Sequence, residues 1–235
     1  MSNKGNSVKQ KRISYEGTAR ILKKSNTWTY RSMPGGHSKD SSAAISLILR
    51  DILGLVDNSR EARYVLANKT VLVNGRRVKS QNYPVGIFDI LELKELGKKY
   101  RTIFDKKGYI AFEELDKKAP LVRYSKIVGK TSRGKNVQIN LDNGFNIDVD
   151  KDVYQVKDTI ILEVPSNKIV GKVEFANGSN AFIVGGPHIG KEGKIKEIFK
   201  GNLGKKEEVI IEGKELNRTI SEYVIVIPEP KKSEK

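Results

Sequence analysis

The sequence predicts an α+β protein in which a small helical domain precedes short β-strands that form two small barrels. Residues 41–97 hold two apolar stripes of helical period and then a tight hairpin signal. From about residue 98, short apolar–polar alternations separated by glycine turns replace the helical spacing, a pattern typical of small barrels. We therefore expect four segments: a basic arm at 1–40, an α+β domain at 41–97, a β-rich central domain at 98–170, and a C-terminal barrel with a charged tail at 171–235.

The composition favours a nucleic-acid-binding protein. The 235 residues carry 44 Lys and Arg against 28 Asp and Glu, a net charge of +16, which is typical of proteins that bind nucleic acid. A membrane-surface protein would also be basic, but no apolar run approaches the ~18 residues that span a bilayer, and no signal-peptide core is expected at the N-terminus. The expected compartment is the cytosol.

The N-terminal arm holds almost half of the excess charge, with nine Lys and Arg against two acids in residues 1–40. Its apolar residues are too sparse for a core, and such arms usually order only on a polyanion. One interpretation is a disordered, solubilising tail. The other is a segment that folds along RNA, with Trp28 stacked on a base or packed into a groove. The RNA-contacting residues expected in the arm are Lys9, Lys11, Arg12, Arg20, Lys23, Lys24, Trp28 and Arg31.

Two helices are expected in the α+β domain. The first follows from an apolar stripe of helical period that ends at Gly54. The stripe is formed by Ile45, Ile48, Leu49, Ile52 and Leu53. The second runs from Ser59, a good N-cap, to about Ala67, and Asn68 is expected to end it in the left-handed conformation. Arg60 and Arg63 share one face of this helix. The opposite, apolar face is formed by Ala62, Val65 and Leu66.

A tight hairpin follows the second helix. Val71–Val73 is predicted as a strand and Asn74-Gly75 as its turn, because both turn residues accept a positive φ. A further strand is expected around 88–93, after a turn at 83–86. Core packing does not explain why cations cluster around the helix and the turn, whereas phosphate binding does. The RNA-contacting residues expected here are Ser59, Arg60, Arg63, Lys69, Asn74, Arg76, Arg77 and Lys79.

The remaining chain predicts two small barrels. Strands at 102–104, 109–112, 121–128 and 156–164, a basic loop at 129–135 and a hairpin at 137–149 are expected in the first. Strands at 181–184, 194–199, 208–212 and 223–227 are expected in the second. The RNA contacts expected in the barrels are Lys130, Arg133, Lys135, His188, Lys191 and Lys194.

No cofactor, metal ion or small-molecule substrate is expected. Gly185 and Gly190-Lys191 have the spacing of a nucleotide-binding P-loop, but Glu192 stands where Ser or Thr is needed and a strand follows instead of a helix. These glycines fit a bulged barrel turn, or a turn that lets the backbone approach RNA. The absence of Cys excludes disulfides and thiolate zinc sites, and two distant His form no catalytic set.

Three signatures in order carry a family resemblance. Residues 59–63 and 71–75 resemble the S-four-type RNA-binding fold. The glycines of 185–193, with Ile195 after a strand, resemble the KOW motif. Segments 83–90, 104–108 and 167–170 fit the same family between them. The chain therefore resembles the archaeal and eukaryotic small-subunit ribosomal protein S-four-e family, collinearly from about Leu22 to about Ile225, and its archaeal branch in particular.

The resemblance implies a structural protein of the small ribosomal subunit, with an S-four-type domain and an SH3-like KOW barrel, and no enzymatic activity. Its implied partners are small-subunit ribosomal RNA and neighbouring ribosomal proteins, with no membrane. Two alternatives remain: an S-four-domain RNA-modifying enzyme of the pseudouridine synthase type, which needs a catalytic domain with an essential Asp, and a KOW-type transcription elongation factor.

Overall fold

The computed structural model describes residues 9–15, 18–116, 120–134, 136–150, 152–202, 204–213 and 215–228. The protein is rich in strands and has few helices, which confirms the α+β class. The chain divides into two compact units, which lie within residues 1–103 and 109–121 and within residues 104–108 and 122–235. No helix of the described residues is long and apolar enough to cross a membrane.

The first unit contains both helices and three antiparallel sheets. Helix α1 (Ile45–Leu47) continues as a π-helical turn over Ile48–Ile52, and α2 spans Ser59–Asn68. The strands are β1 (Lys9–Lys11), β2 (Trp28–Tyr30), β3 (Ser42–Ala44), β4 (Val71–Val73), β5 (Arg76–Arg77), β6 (Pro84–Gly86), β7 (Ile90–Leu93), β8 (Lys98–Phe104) and β9 (Ile110–Leu115). They form the pairs β1–β2 and β3–β6 and a five-stranded sheet in the order β5-β4-β7-β8-β9.

The predicted first helix is present, but its second half is wider than an α-helix. The amide of Leu53 donates to the carbonyl of Ile48 at 2.9 Å, five residues back. Ile45, Ile48 and Leu49 are almost fully buried, as their spacing predicts. Gly54 follows with a φ of +61°, which ends the helix at the predicted residue.

The N-terminal arm is folded where the structure describes it. Strands β1 and β2 pair antiparallel, and Arg12 is only 1 % exposed. Its Nε donates to the carbonyl of Leu22 at 2.9 Å, and its Nη2 lies 2.9 Å from a carboxylate oxygen of Asp51. The expectation of a tail that is disordered or orders only on a polyanion is therefore wrong for these residues. Local composition misses this because the partner of Arg12 lies 39 residues away in the sequence.

The second unit contains two five-stranded antiparallel sheets. The first has the order β12-β11-β10-β13-β14 and the second β18-β17-β16-β15-β19. Their strands are β10 (Val122–Arg133), β11 (Asn136–Leu141), β12 (Asn146–Val149), β13 (Thr159–Glu163), β14 (Ile169–Val173), β15 (Asn180–Ile183), β16 (Glu192–Phe199), β17 (Glu208–Glu212), β18 (Leu216–Ile220) and β19 (Val224–Val226). Each sheet has its own apolar core, centred on Ile127, Ile139 and Ile160 in the first and on Ile183, Ile195 and Ile211 in the second.

The sequence predicts most strands of the second unit, but not all of them. The hairpin around Asn143-Gly144 is present as β11 and β12. The predicted basic loop is wrong for residues 129–133, which continue β10 past an irregularity in the strand pairing between Ile127 and Gly129. Strand β18 was not expected, because its inward-facing residues are Asn217 and Thr219, so polar side chains conceal the alternation.

A buried lysine joins the two sheets of the second unit. Lys126, in β10, is 6 % exposed, and its Nζ donates to the carbonyls of Ser221, Glu222 and Val224 at 2.7, 2.9 and 2.7 Å. These carbonyls belong to the 3-10 helix Ser221–Tyr223 and to β19. Burial lowers the pKa of Lys126 to about 8, because removal from water disfavours the charged form.

This pKa predicts a dependence of stability on pH. Between pH 8 and the ordinary lysine value of about 10.4, the unfolded chain retains a proton that the folded chain has released, so the free energy of unfolding rises with pH. We expect the wild type to gain on the order of 1 kcal/mol per pH unit over Lys126→Met in this window. Urea unfolding at pH 7.5, 8.5 and 9.5 measures the difference. A constant difference contradicts the prediction, and Lys130→Met on the same strand is the control.

Candidate nucleic-acid interface

The N-cap of helix α2 is Asn58, one residue before the N-cap that the sequence predicts. The side-chain oxygen of Asn58 accepts from the amides of Arg60 at 2.9 Å and Glu61 at 3.0 Å. The carboxylate of Glu61 in turn accepts from the amide of Asp57 and the Nδ2 of Asn58. The prediction of Ser59 as N-cap is therefore wrong: Ser59 is the first helical residue. Residues 57–59 are all suitable caps, and residue type alone does not choose between them.

The C-terminal end of α2 is held by the hairpin that follows it. Asn68 is the last helical residue, and its Nδ2 donates to the carbonyl of Tyr64 at 3.0 Å. It has no positive φ, so the left-handed conformation predicted for it is wrong. Instead, Nη2 of Arg77 donates to the carbonyl of Ala67 at 3.0 Å. A cation at the last turn of a helix satisfies an open carbonyl and complements the helix dipole.

The predicted turn between β4 and β5 is confirmed. Asn74 has a φ of 49° and Gly75 a φ of 73°, which are the angles a two-residue hairpin of this kind requires. Both polar atoms of the Asn74 side chain form hydrogen bonds inside the protein. Its Nδ2 donates to Asp89 at 2.7 Å and its Oδ1 accepts from the amide of Ile90 at 2.9 Å. Asn74 was predicted as an RNA contact, but its side chain instead holds the turn in place through these two hydrogen bonds.

The buried side chain of Asp89 stabilises this turn from the interior of the unit. The carboxylate is 2 % exposed and accepts from Asn74 and from the amide of Gly86 at 2.9 Å, while Nε2 of His37 lies 3.0 Å away. Burial acts to raise the pKa of Asp89, but the charge of His37 and these hydrogen bonds outweigh it and hold the pKa below its ordinary value. The turn that precedes Arg76 and Arg77 is thus rigidly fixed.

Helix α2 and the hairpin together present a set of cations to solvent. Ala62 and Leu66 are fully buried beneath the helix, and the opposite side exposes its arginines. Gln81 donates to the carbonyl of Ser59 at 3.1 Å, so the chain after β5 is held to the start of the helix as well as to its end. We call the exposed cations of this region the basic face: Arg60, Arg63, Lys69, Arg76, Arg77 and Lys79.

The basic face carries little compensating charge. Arg60, Arg63 and Lys79 form no ion pair with any residue that the structure describes. Glu95 lies nearby, and its pKa is lowered chiefly by a hydrogen bond from the amide of Thr70 at 2.8 Å and further by the charges of Lys69 and Arg77. Exposed guanidinium groups that have no internal partner are available for forked contacts with phosphate.

Tyr64 also belongs to this surface, although it is not among the RNA contacts that the sequence predicts. Tyr64 is 62 % exposed, one residue after Arg63 and four after Arg60. Its spacing could have revealed it, because it lies off the stripe formed by Ala62 and Leu66. Val65, predicted as core, is only half-buried. An exposed tyrosine among arginines is suited to stacking on an unpaired base.

The predicted RNA contacts of the arm fall into two groups. Arg12 is a correction, because its guanidinium is buried against Asp51 and is not available to a phosphate. Trp28 is 54 % exposed on β2, and Lys9 lies in β1. The other predicted residues of the arm are exposed: Lys11, Arg20, Lys23, Lys24 and Arg31.

The predicted contacts of the second unit are divided between its two sheets, and three of the cations lie beside carboxylates. Lys130 pairs with Asp152, and Arg133 lies 4.0 Å from Asp148. Lys191 donates to Asn217 at 2.9 Å and pairs with Glu215 at 3.2 Å. His188 is half-buried and Lys194 is exposed. Lys135 lies outside the described residues.

The glycine turn of the second unit is not a nucleotide-binding loop. Strand β16 follows it directly. A Cβ at Gly190 would lie 2.3 Å from the carbonyl oxygen of Asp105, so this glycine allows close approach of the chain's own loop. No group of three or more His, Asp or Glu among the described residues could hold a metal ion.

Comparisons with known proteins agree on one family. The family model described as ribosomal family S4e matches residues 96–169. A small ribosomal subunit protein eS4 from Methanosphaera stadtmanae is 36% identical over 233 residues, which is 98% of this chain and 96% of the relative. Its namesake from Archaeoglobus fulgidus is 39% identical over 221 residues, 93% of this chain and 92% of the relative. The crystal structure of the 30S ribosomal protein S4e from Thermoplasma acidophilum superposes with a TM-score of 0.70 at 28% identity, and covers 80% of this chain and 95% of that one.

The capping of α2 yields a direct test of how the basic face is built. Asn58→Ala removes the acceptor for two helix amides and should cost ~1 kcal/mol of stability. Ser59→Ala should be close to neutral, because Ser59 is already helical and Ala is the best helix former. Urea unfolding followed by circular dichroism measures both variants. A larger loss for Ser59→Ala than for Asn58→Ala would contradict the observed cap.

Proposed function

This chain belongs to ribosomal family S4e, and from that premise we infer that it is a structural constituent of the small ribosomal subunit. It binds small-subunit ribosomal RNA and supports the assembly of the subunit and translation. It is not an enzyme. The family resemblance predicted from the sequence is confirmed by relatives that match nearly the whole chain, all of them archaeal.

The observation that best supports RNA binding through this chain's own residues is the basic face on the first unit. Its cations are carried by a capped helix and a fixed hairpin turn, and Arg60, Arg63 and Lys79 have no internal ion-pair partner among the described residues. Contacts to phosphate position a protein on its RNA without reading sequence. We propose that the basic face makes such contacts and that Tyr64 stacks on an unpaired base beside them.

We further propose the three domains expected from the sequence, with one boundary moved. The expected bounds are 41–97 for the S-four-type RNA-binding domain, 98–170 for the central β-rich domain and 171–235 for an SH3-like KOW barrel. Strands β8 and β9, which were expected in the central domain, lie in one sheet with β4, β5 and β7, so they belong to the first domain and the central domain begins with β10. The separate apolar cores around Ile127 and Ile183 support the division between the last two. The described residues of the expected arm, 9–15 and 18–40, belong with the first domain, because Arg12 pairs with Asp51.

The remaining parts of the proposal concern partners and compartment. The protein acts in the cytoplasm within the small subunit, next to other ribosomal proteins, and takes no small-molecule substrate. Neither alternative class gains support. The curated relatives compared above carry the name of a small-subunit protein, and none is named as an RNA-modifying enzyme or an elongation factor.

The experiment on this proposal replaces two arginines of the basic face. Arg60→Ala combined with Arg63→Ala removes two exposed cations and leaves Ala62 and Leu66 in the core. We expect the variant to melt within a few degrees of the wild type and to bind small-subunit rRNA at least tenfold more weakly, in filter binding at fixed salt. Arg→Lys at both positions should also weaken binding, because lysine lacks the fork.

Two controls accompany this variant. Lys39→Ala combined with Lys98→Ala removes the same charge from two exposed residues of the first unit that do not belong to the basic face, and should change binding only slightly. Leu66→Asp should unfold the first unit, because it places an unpaired charge in the core. If the folded double arginine variant binds as well as the wild type, the basic face is not the site. If the wild type binds no small-subunit rRNA and is absent from sedimented small subunits, the proposed function itself is wrong.

A further inference from the structure

A cationic cleft lies at one end of the last sheet of the second unit, and none of the residues that line it was considered above as an RNA contact. The cleft has a volume of about 430 Å³, within the roughly 300–1,000 Å³ typical of sites for small ligands. It is lined by the end of β16, the β16–β17 loop and the outer side of β18. The lining residues are Phe199, Lys200, Gly201, Asn202, Lys205, Lys206, Glu208, Arg218 and Ile220.

The register of the sheet places an aromatic ring on its outer side. Val209 and Ile211 of β17 point into the core, so Glu208, which precedes them, points outward. Phe199 lies opposite Glu208, and Glu208 lies opposite Ile220 on β18. Phe199 therefore belongs to the outer face, where it is 45 % exposed. A large apolar ring in this position gains nothing from the core behind it.

Cations surround this ring. The guanidinium of Arg218 lies 5.9 Å from the ring centroid of Phe199 and pairs with Glu208. Lys206 pairs with Glu222 at 2.8 Å, whereas Lys200 and Lys205 form no ion pair with any described residue. The lining residues include four cations and one carboxylate, so the cleft attracts anions.

We propose that this cleft binds one nucleotide of single-stranded RNA, with its base stacked on Phe199 and its phosphate held by Lys200 and Lys205. This deepens the proposed function, on which it rests, by adding a contact on the last sheet that the family motifs do not mark. Stacking on an exposed aromatic ring beside lysines that hold the backbone is the usual way in which proteins bind unpaired nucleotides. The guanidinium of Arg218 lies over the same ring and adds a cationic group to the stacking site.

The chemistry favours RNA over a protein partner. The centres of protein–protein interfaces are depleted in lysine and enriched in aromatic residues, and this cleft combines a single ring with three lysines. Gly201 also allows the two sides of the loop to approach each other, because a Cβ there would lie 2.5 Å from the carbonyl oxygen of Lys205. Lys200 and Lys205 are thus held at the two ends of a tight loop, and both line the cleft.

The identity of the bound partner is tested by cross-linking from the ring itself. A photoreactive benzoyl-phenylalanine replaces Phe199 in the full chain, the protein is assembled into small subunits, and the irradiated product is digested with ribonuclease. We expect an adduct to small-subunit rRNA that ribonuclease shortens. The same analogue at Leu216, which is 63 % exposed at the far end of β18, gives the background. An adduct to another protein, or none above that background, overturns the proposal.

The contribution of the ring to affinity is tested with three variants. Phe199→Ala should weaken binding of the full chain to small-subunit rRNA by about fivefold to a hundredfold, the range for loss of one stacked base. Phe199→Tyr should bind like the wild type, because the ring is kept, and so should Leu216→Ala, which removes an exposed apolar side chain elsewhere on the sheet. If the wild type binds rRNA and Phe199→Ala binds equally well, this cleft is not a site, although the proposed function stands. If the wild type itself fails to bind, the proposed function fails first.

Discussion

The buried carboxylate of Asp89 is the interaction on which the candidate RNA surface depends. It joins three segments that are distant in the sequence: His37 before the first helix, the turn at Asn74, and Gly86 at the end of β6. A buried carboxylate is costly unless its oxygens are satisfied, and here each oxygen has a partner. The ring of His37 fits only because residue 86 is glycine, since a Cβ there would lie 2.2 Å from it. The turn that leads into Arg76 and Arg77 is therefore fixed by the core of the unit and not by the loop alone.

The cations that the sequence predicts as RNA contacts differ in whether other residues of the chain pair with them. In the second unit, Lys130 and Lys191 are engaged by carboxylates of the same chain, and Lys126 is buried as a structural donor. In the first unit, Arg60 and Arg63 extend from a helix whose other side is core, and no described residue pairs with them. A net charge of +16 thus indicates the class of partner, but only the unpaired cations on a rigid support indicate where an anion can bind.

Much of this could be predicted from the sequence, and the failures have physical causes. The Asn74-Gly75 turn, the second helix and the Asn143-Gly144 hairpin depend on local backbone preferences, which short motifs carry. The burial of Arg12 and the strand β18 depend on tertiary partners, whereas the cap at Asn58 was missed because Asp57, Asn58 and Ser59 are all suitable caps. Arg12 is charged and lies in a basic segment, so nothing near it in the sequence indicates that Asp51 will bury it. Tyr64 and Phe199 were missed because an exposed aromatic residue looks like a core residue until the register of its element is known.

The central claim is that Arg60 and Arg63 contact rRNA in the assembled subunit while Arg12 remains part of the core. An arginine-specific dicarbonyl reagent, applied to the free protein and to intact small subunits and read out by mass spectrometry, tests both parts in one measurement. We expect Arg60 and Arg63 to react in the free protein and to be protected in the subunit, and Arg12 to be unreactive in both. Equal modification of Arg60 and Arg63 in the two states would contradict it.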